Sequence, residues 1–193
     1  MIYMTMPLIL STEYCVFMLI DVQESLFKVI YDNKNIEMNM KLLLRLAEVL
    51  KIPLIVTTQN APRLGPTLPS LSKLFRENQK EYDKLTFSCL RVPGVFKELE
   101  EKKPKTLVLF GIESHICVYQ TAIEAITKDY HVVVVTDAVS SRNVENKSTG
   151  LRQLIQSGVN LLSTEMVIYE LLGEAGTTDF RKMLPYLKDP TLA

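Results

Sequence analysis

The chain is short of the residues that mark several protein classes. Its 193 residues include three cysteines, Cys15, Cys89 and Cys117, an odd count without CxxC spacing. That argues against a disulfide framework and for a reducing compartment. No charge of either sign is in excess, because 22 Lys and Arg face 22 Asp and Glu. A nucleic-acid binder carries a basic stripe, and none is visible. Mixed runs such as Glu98-Leu-Glu-Glu-Lys-Lys-Pro104 read as the solvated end of a helix. No apolar run approaches the roughly 20 residues needed to span a bilayer. The apolar start, residues 1–10, lacks both a basic region and a cleavage site. Cytoplasmic residence without nucleic-acid or membrane partners is the expectation, with a weak organelle signal left open. Seven glycines and nine prolines are too few for a disordered or collagen-like chain. No repeat or linker divides the sequence, whose length suits one domain over residues 1–193, with its core at about 13–187.

Four short apolar runs are present: 15–20, 54–58, 106–110 and 132–135. Each is too short for a helix and too uniformly apolar for a strand wet on one face, which fits strands buried on both faces of a parallel sheet. Between them, residues 36–50 place Ile36, Met40, Leu43, Leu44, Ala47 and Leu50 on one helical stripe. The stretches 116–129, 145–157, 164–172 and 178–187 also read as helices. A short strand is expected at 159–162 and another near 82–86. Regular alternation of strand and helix implies βαβ units in a three-layer α/β/α, Rossmann-like fold. The connection 59–80 holds Pro62, Gly65, Pro66 and Pro69, so it reads as a long irregular loop of the functional kind.

Ligands of open α/β sheets bind beyond the carboxyl ends of the strands. Polar residues expected there are Asp21, Thr57, Thr58, Gln59, Lys84 and Asp137, together with the segment Gly111–Cys117. An acid, a cation and a thiol thus reach one edge of the sheet from different strands. Only a thiolate attacks. Cys117 at a helix start gains from the positive end of the helix dipole, with Asp21 to accept its proton and Lys84 to stabilise the thiolate. Plainer readings stand beside this one: an inert buried cysteine, an Asp21 that caps a helix and a solvated Lys84.

The segments Phe17-Met-Leu-Ile-Asp21-Val-Gln23, Lys84-Leu-Thr-Phe-Ser88 and Gly111-Ile-Glu-Ser-His-Ile-Cys117-Val-Tyr-Gln-Thr121-Ala resemble the three motif regions of the isochorismatase-like cysteine hydrolases. Leu64–Leu71, Asp137–Arg142 and Gln156–Thr164 add similarity to the isochorismatase domain-containing protein 2 group. The resemblance covers about residues 13–187. It implies a six-stranded parallel sheet flanked by helices, Cys117 as nucleophile, Asp21 as acid/base and Lys84 as the completing cation. It also implies a cis peptide at Ile112–Glu113 that forms the oxyanion hole, and a homo-oligomer.

Nicotinamidases of that superfamily carry an Asp-x-His metal cluster after the second strand. Here the region reads Thr57-Thr-Gln-Asn-Ala-Pro-Arg63, and the chain has only His115 and His131. No metal and no cofactor are therefore expected. Gln23, Gln59 and His115 are candidate pocket residues, while His131, opening a Val-rich strand, reads as a cap or an exposed residue. The expected activity is hydrolysis of a small amide, or of another small substrate such as a vinyl ether. The alternatives are a binding or scaffold protein whose catalysis has lapsed and a thiol redox sensor.

Overall fold

The computed structural model describes residues 10–193, so most of the apolar start on which the targeting expectation rests lies outside the described residues. The elements run β1 (Cys15–Ile20), α1 (Glu24–Phe27), α2 (Asn33–Leu50), β2 (Leu54–Gln59), α3 (Ala61–Leu64), α4 (Pro69–Ser72) and β3 (Glu81–Lys84). They continue with α5 (Pro93–Lys102), β4 (Thr106–Ile112), α6 (Cys117–Ile126), β5 (His131–Ser140), α7 (Val144–Gln156), β6 (Asn160–Leu162), α8 (Thr164–Leu172) and α9 (Thr178–Lys188).

The six strands form one parallel sheet in the order β3-β2-β1-β4-β5-β6. Every residue of β1 and β4 is buried, because helices cover both faces. On one face α2 packs against α8, α9 and β5; on the other α6 packs against β4, β5 and α7. The α2 stripe buries Ile36, Met40, Leu43, Leu44 and Ala47 as its spacing requires, and Leu42 and Leu46 join them. That helix stops where Lys51 turns left-handed, and Arg76 Nη2 caps the Ala47 carbonyl at 2.7 Å.

The strand order reverses between β1 and β4, which is where a doubly wound sheet opens a crevice. Register brings Ile20 beside Gly111, and Gly111 has φ +122. A Cβ there would lie 2.3 Å from the Ile20 carbonyl oxygen, so only glycine lets the two strand ends approach this closely.

Three elements depart from the expectations. The Val run extends to Ser140 through an irregularity opposite Leu109–Gly111, so Asp137 lies inside β5 rather than at its end. α6 ends at Ile126, short of 129, because Asp129 takes φ +62 and the Tyr130 N–H turns back to the Ala125 carbonyl. Residues 59–80 hold two helical turns, α3 and α4. Gln23 ties this loop down by donating to Gly65 O at 2.6 Å, and Thr67 pairs with Glu81. Among the described residues, no helix is long and apolar enough to cross a membrane.

Candidate active site

Neighbouring strand ends deliver the side chains. Asp21 follows β1, and the turn after β4 leads to Cys117 at the first position of α6. Gln59 and Lys84, the last residues of β2 and β3, are register partners. Lys84 Nζ donates to Asp21 Oδ2 at 2.6 Å, to Gln59 Oε1 at 2.6 Å and to Thr86 O at 3.2 Å. All three donors of the ammonium are thereby used, which is what a cation only 4 % exposed requires. Thr57 Oγ1 donates to Asp21 Oδ1 at 2.8 Å, and the Asp21 N–H donates to Thr57 O at 3.0 Å. Cys117 Sγ lies 4.0 Å from Gln59 Oε1, and close enough to Asp21 for the carboxylate's charge to act on the thiol. Asp21 is 1 % exposed and Cys117 is 6 % exposed, so the chemistry-bearing atoms sit away from bulk water.

Two of the plainer readings fail on geometry. Asp21 caps no helix, since Gln23 occupies the N-cap position of α1 and makes no side-chain cap bond. Lys84 is buried, not solvated. Cys117 is buried, as the inert reading requires, and its sulfur lies 4.0 Å from the Gln59 carboxamide oxygen.

Electrostatics correct one expectation. The helix start and the Lys84 ammonium both favour a thiolate. Burial, then the charge of Asp21, outweigh them and push the Cys117 thiol above its ordinary range. The resting group is a thiol beside an ion pair. Burial works against the Lys84 ammonium, yet the adjacent Asp21 carboxylate overrides it and raises the lysine.

The remaining candidates separate. Gln23 is fully buried and its carboxamide is committed to backbone. Nε2 donates to Gln59 O and Gly65 O, and Oε1 accepts from the Gln59 N–H at 2.8 Å. It positions Gln59 instead of lining a pocket. His115 Nδ1 pairs with Ser141 Oγ at 2.9 Å, and Ser141 Oγ pairs with Ser114 Oγ at 2.6 Å. Its backbone lies under Gly150 of α7, which leaves its ring bracing the turn and burial lowering its basicity. The Ile112–Glu113 peptide is cis. Glu113 accepts from Arg142 through N–H at 2.9 Å and Nε at 3.2 Å. Asp137 binds Thr164 N–H at 2.7 Å and Thr164 Oγ1 at 2.9 Å, a helix-start contact away from the thiol. His131 is exposed at the opposite end of the sheet.

Two contributors had no assigned role in the sequence. Thr57 occupies one oxygen of Asp21, a contact foreshadowed only by its place in register with Ile20. Cys89 is fully buried 3.5 Å from Thr57 Oγ1, and burial pushes its thiol up to about 11. The end of β2 offers Thr57, Thr58, Gln59 and Asn60, and Gln59 Oε1 faces an ammonium. That set does not fit a divalent metal. Among the described residues, no group of three or more His, Cys, Asp or Glu is placed to hold one.

Comparison with known proteins bears on this site. The family described as Isochorismatase domain matches residues 15–166. A Phytophthora sojae protein named Secreted isochorismatase effector Isc1 is 40 % identical over 147 residues, 74 % of this chain and 70 % of that protein. The Danio rerio Isochorismatase domain-containing protein 2 is 34 % identical over 184 residues, 94 % of this chain and 91 % of that protein. A Caenorhabditis elegans structure described as MAR1 ribonuclease superposes with TM-score 0.88 at 31 % identity, covering 93 % of this chain and 92 % of that one. The Escherichia coli YcaC product, described as an octameric hydrolase of unknown specificity, superposes with TM-score 0.85 at 23 % identity, covering 97 % of each chain. Six parallel strands with both faces covered, and a family match across most of the chain, lead to one conclusion: this chain belongs to the isochorismatase family, whose members are hydrolases.

Proposed function

We propose that the chain is a metal-independent cysteine hydrolase, working as one domain on a small amide or related substrate through Cys117, Asp21 and Lys84. The observation that carries this reading is the buried Lys84–Asp21 pair at 2.6 Å, set against the thiol of Cys117. Sending the thiol proton to water leaves an extra negative charge in a buried cluster, which is the cost the raised thiol registers. Passing it to Asp21 keeps the cluster's charge unchanged, with Lys84 turning from the carboxylate to the thiolate.

In that scheme the sulfur forms a bond to the amide carbon as its proton moves to Asp21, and the carbonyl π pair moves to oxygen. The oxyanion is held by the N–H groups of Cys117 and Glu113. Ile116 and Val118 both donate to Glu113 O, at 3.0 and 3.2 Å, while the Cys117 N–H between them has no acceptor among the described residues. The C–N bond then breaks, Asp21 returns the proton to nitrogen, and the amine leaves a thioester. Water hydrolyses the thioester with Asp21 as base.

The name of the Phytophthora relative favours a second reading, hydrolysis of a vinyl ether. Asp21 would then take a proton from solvent and pass it to the vinyl carbon, water would add to the resulting oxocarbenium carbon, and no acyl-enzyme would form. A panel of amides, isochorismate and an RNA oligonucleotide, run on the native protein and Cys117→Ala, separates these outcomes. Amide turnover with a trapped acyl adduct on Cys117, both lost in Cys117→Ala, supports the proposal. Isochorismate turnover that survives Cys117→Ala supports the second reading. RNA cleavage independent of Cys117, or no turnover that depends on Cys117, overturns the first. The raised thiol counts against a peroxide sensor, which needs a low-pKa cysteine, and equally against a hydrolase whose thiolate forms unaided, so the proposal depends on transfer of the thiol proton to Asp21.

The proposal includes cytoplasmic residence, supported by three free thiols. It also includes self-association, supported by the octamer described for YcaC and by Leu85 and Phe87, exposed beside Lys84. A solution-scattering mass of one chain would refute self-association.

A further inference from the structure

Resting on the hydrolase reading, we infer that Gln59 selects the leaving group: substrates must carry an N–H on the departing nitrogen. Primary and secondary amides satisfy this, whereas esters, vinyl ethers and tertiary amides do not.

The orientation of a carboxamide is usually ambiguous, but its partners settle this one. Lys84 Nζ lies 2.6 Å from Oε1, where a nitrogen would set donor against donor. Nε2 donates to Leu85 O at 3.1 Å. The backbone is fixed as well, since Gln23 accepts from the Gln59 N–H and donates to its carbonyl, and the Asn60 N–H donates to Lys84 O at 2.9 Å. Gln59 therefore holds its carbonyl oxygen toward the thiol without freedom to turn.

A carbonyl oxygen has two acceptor sites. Lys84 uses one on Oε1, and the other faces the thiol. Both oxygens of Asp21 already accept, from Thr57 and Lys84. The leaving atom of an acyl group bonded to Sγ is two bonds from sulfur, and an acceptor 4.0 Å from that sulfur comes within its hydrogen-bond reach when the C–N bond points toward Gln59. An amide N–H donates there. As the C–N bond weakens, that contact turns the developing lone pair on nitrogen toward Asp21, which carries the proton it needs. An ester or ether oxygen presents only lone pairs to Oε1, so two acceptors face each other at a half-buried position.

The test takes the acid whose primary amide is hydrolysed best among the amides tried. Its primary amide, N-methylamide, N,N-dimethylamide and methyl ester are compared on the native protein, Gln59→Met and Gln59→Glu. The native protein is expected to turn over the first two amides and to spare the dimethylamide. In Gln59→Met the amide-to-ester ratio of kcat/KM falls about 10- to 100-fold, the range expected when one buried hydrogen bond to the substrate is lost. The ratio cancels any loss that reaches both substrates through Lys84. Gln59→Glu retains an acceptor and is expected to keep the preference even where both rates drop. A ratio unchanged in Gln59→Met, or a dimethylamide hydrolysed as fast as the primary amide, overturns the inference and leaves the hydrolase reading standing. So does an enzyme that forms the Cys117 adduct from the ester and not from any amide. Absence of an adduct from every compound overturns both.

Discussion

At Cys117 two favourable influences and two unfavourable ones meet, and their balance sets how the site works. Lys84 and the helix start favour the anion, while burial and Asp21 oppose it more strongly. Asp21→Asn removes the opposing charge and also the carboxylate that holds the buried Lys84 protonated, so a thiolate at Cys117 becomes the counter-charge available to that ammonium. The thiol is then expected to become more acidic. Alkylation of Cys117 by iodoacetamide near neutral pH should speed up at least ~3-fold for every tenfold gain in acidity, the net of more thiolate and a weaker nucleophile. Under the proposed mechanism hydrolysis falls at the same time by roughly 10²- to 10⁴-fold, because Asp21 is its proton shuttle. Intact-mass kinetics across pH, beside turnover, check the pair of effects. Alkylation that slows or stays constant in Asp21→Asn would show that the carboxylate does not hold the proton on sulfur. That these three residues reach one edge of the sheet was legible in the sequence, whereas the roles proposed for them came from the family resemblance. The direction in which the thiol moves was not legible, because it depends on burial, which no local pattern encodes. The same holds for the two glutamines: each follows a strand, and only the fold decides that Gln23 spends its carboxamide on backbone while Gln59 presents an oxygen to the thiol.

Among the elements, β5 shows how an apparent site residue is reassigned. Four valines followed by Thr136 and Asp137 look like a finished strand with an acid at its tip. The strand instead passes through an irregularity and resumes beside β4 at Val139. A bulge of this kind leaves no period-two signal to read. Within it, Asp137 anchors the first turn of α8, and its carbonyl accepts from Asn39 Nδ2 at 2.7 Å. Asp137→Ala is expected to destabilise the fold by about 1–3 kcal/mol, the range for leaving a partly buried donor unpaired. Turnover per folded molecule stays near native. Urea titration and active-site-normalised kinetics measure the two, and a selective loss of activity at native stability would return Asp137 to the site. Helix α5 lies at the other extreme. Only its charged end was recognised, although Pro93 at its first position and Val95 and Leu99, buried four residues apart, carry the usual start and spacing.

For the whole molecule, alternation of apolar runs and helical stripes was enough to read a parallel sheet covered on both faces. The order of the strands was not, since it rests on non-local pairing, and that order is what sets Asp21 beside the turn to Cys117. One bulk property follows from burying all three thiols. Burial is the main reason that Cys15 is raised to about 12 and Cys89 to about 11, and Cys117 is pushed up further. Each has an ordinary value of 9.0. Below that value the thiols are protonated in both the folded and the unfolded chain, and their contribution does not change with pH. Above it the unfolded chain releases protons that the folded chain keeps, so the unfolded state gains and stability falls. The loss continues until the folded values are reached. Lys84, also raised, acts in the same direction above its ordinary 10.5. Each thiol contributes a slope of up to about 1.4 kcal/mol per pH unit. Unfolding free energy, measured in urea with a reductant present, is therefore expected to be level with respect to the thiols up to about pH 8 and to drop steeply between about 9 and 11. Cys15 lies on β1, outside the group of Asp21, Lys84 and Cys117, and Cys15→Ala should remove about a third of the thiol slope. A stability that holds level to about pH 10.5, or a slope that Cys15→Ala leaves untouched, would contradict the burial of these thiols as acids.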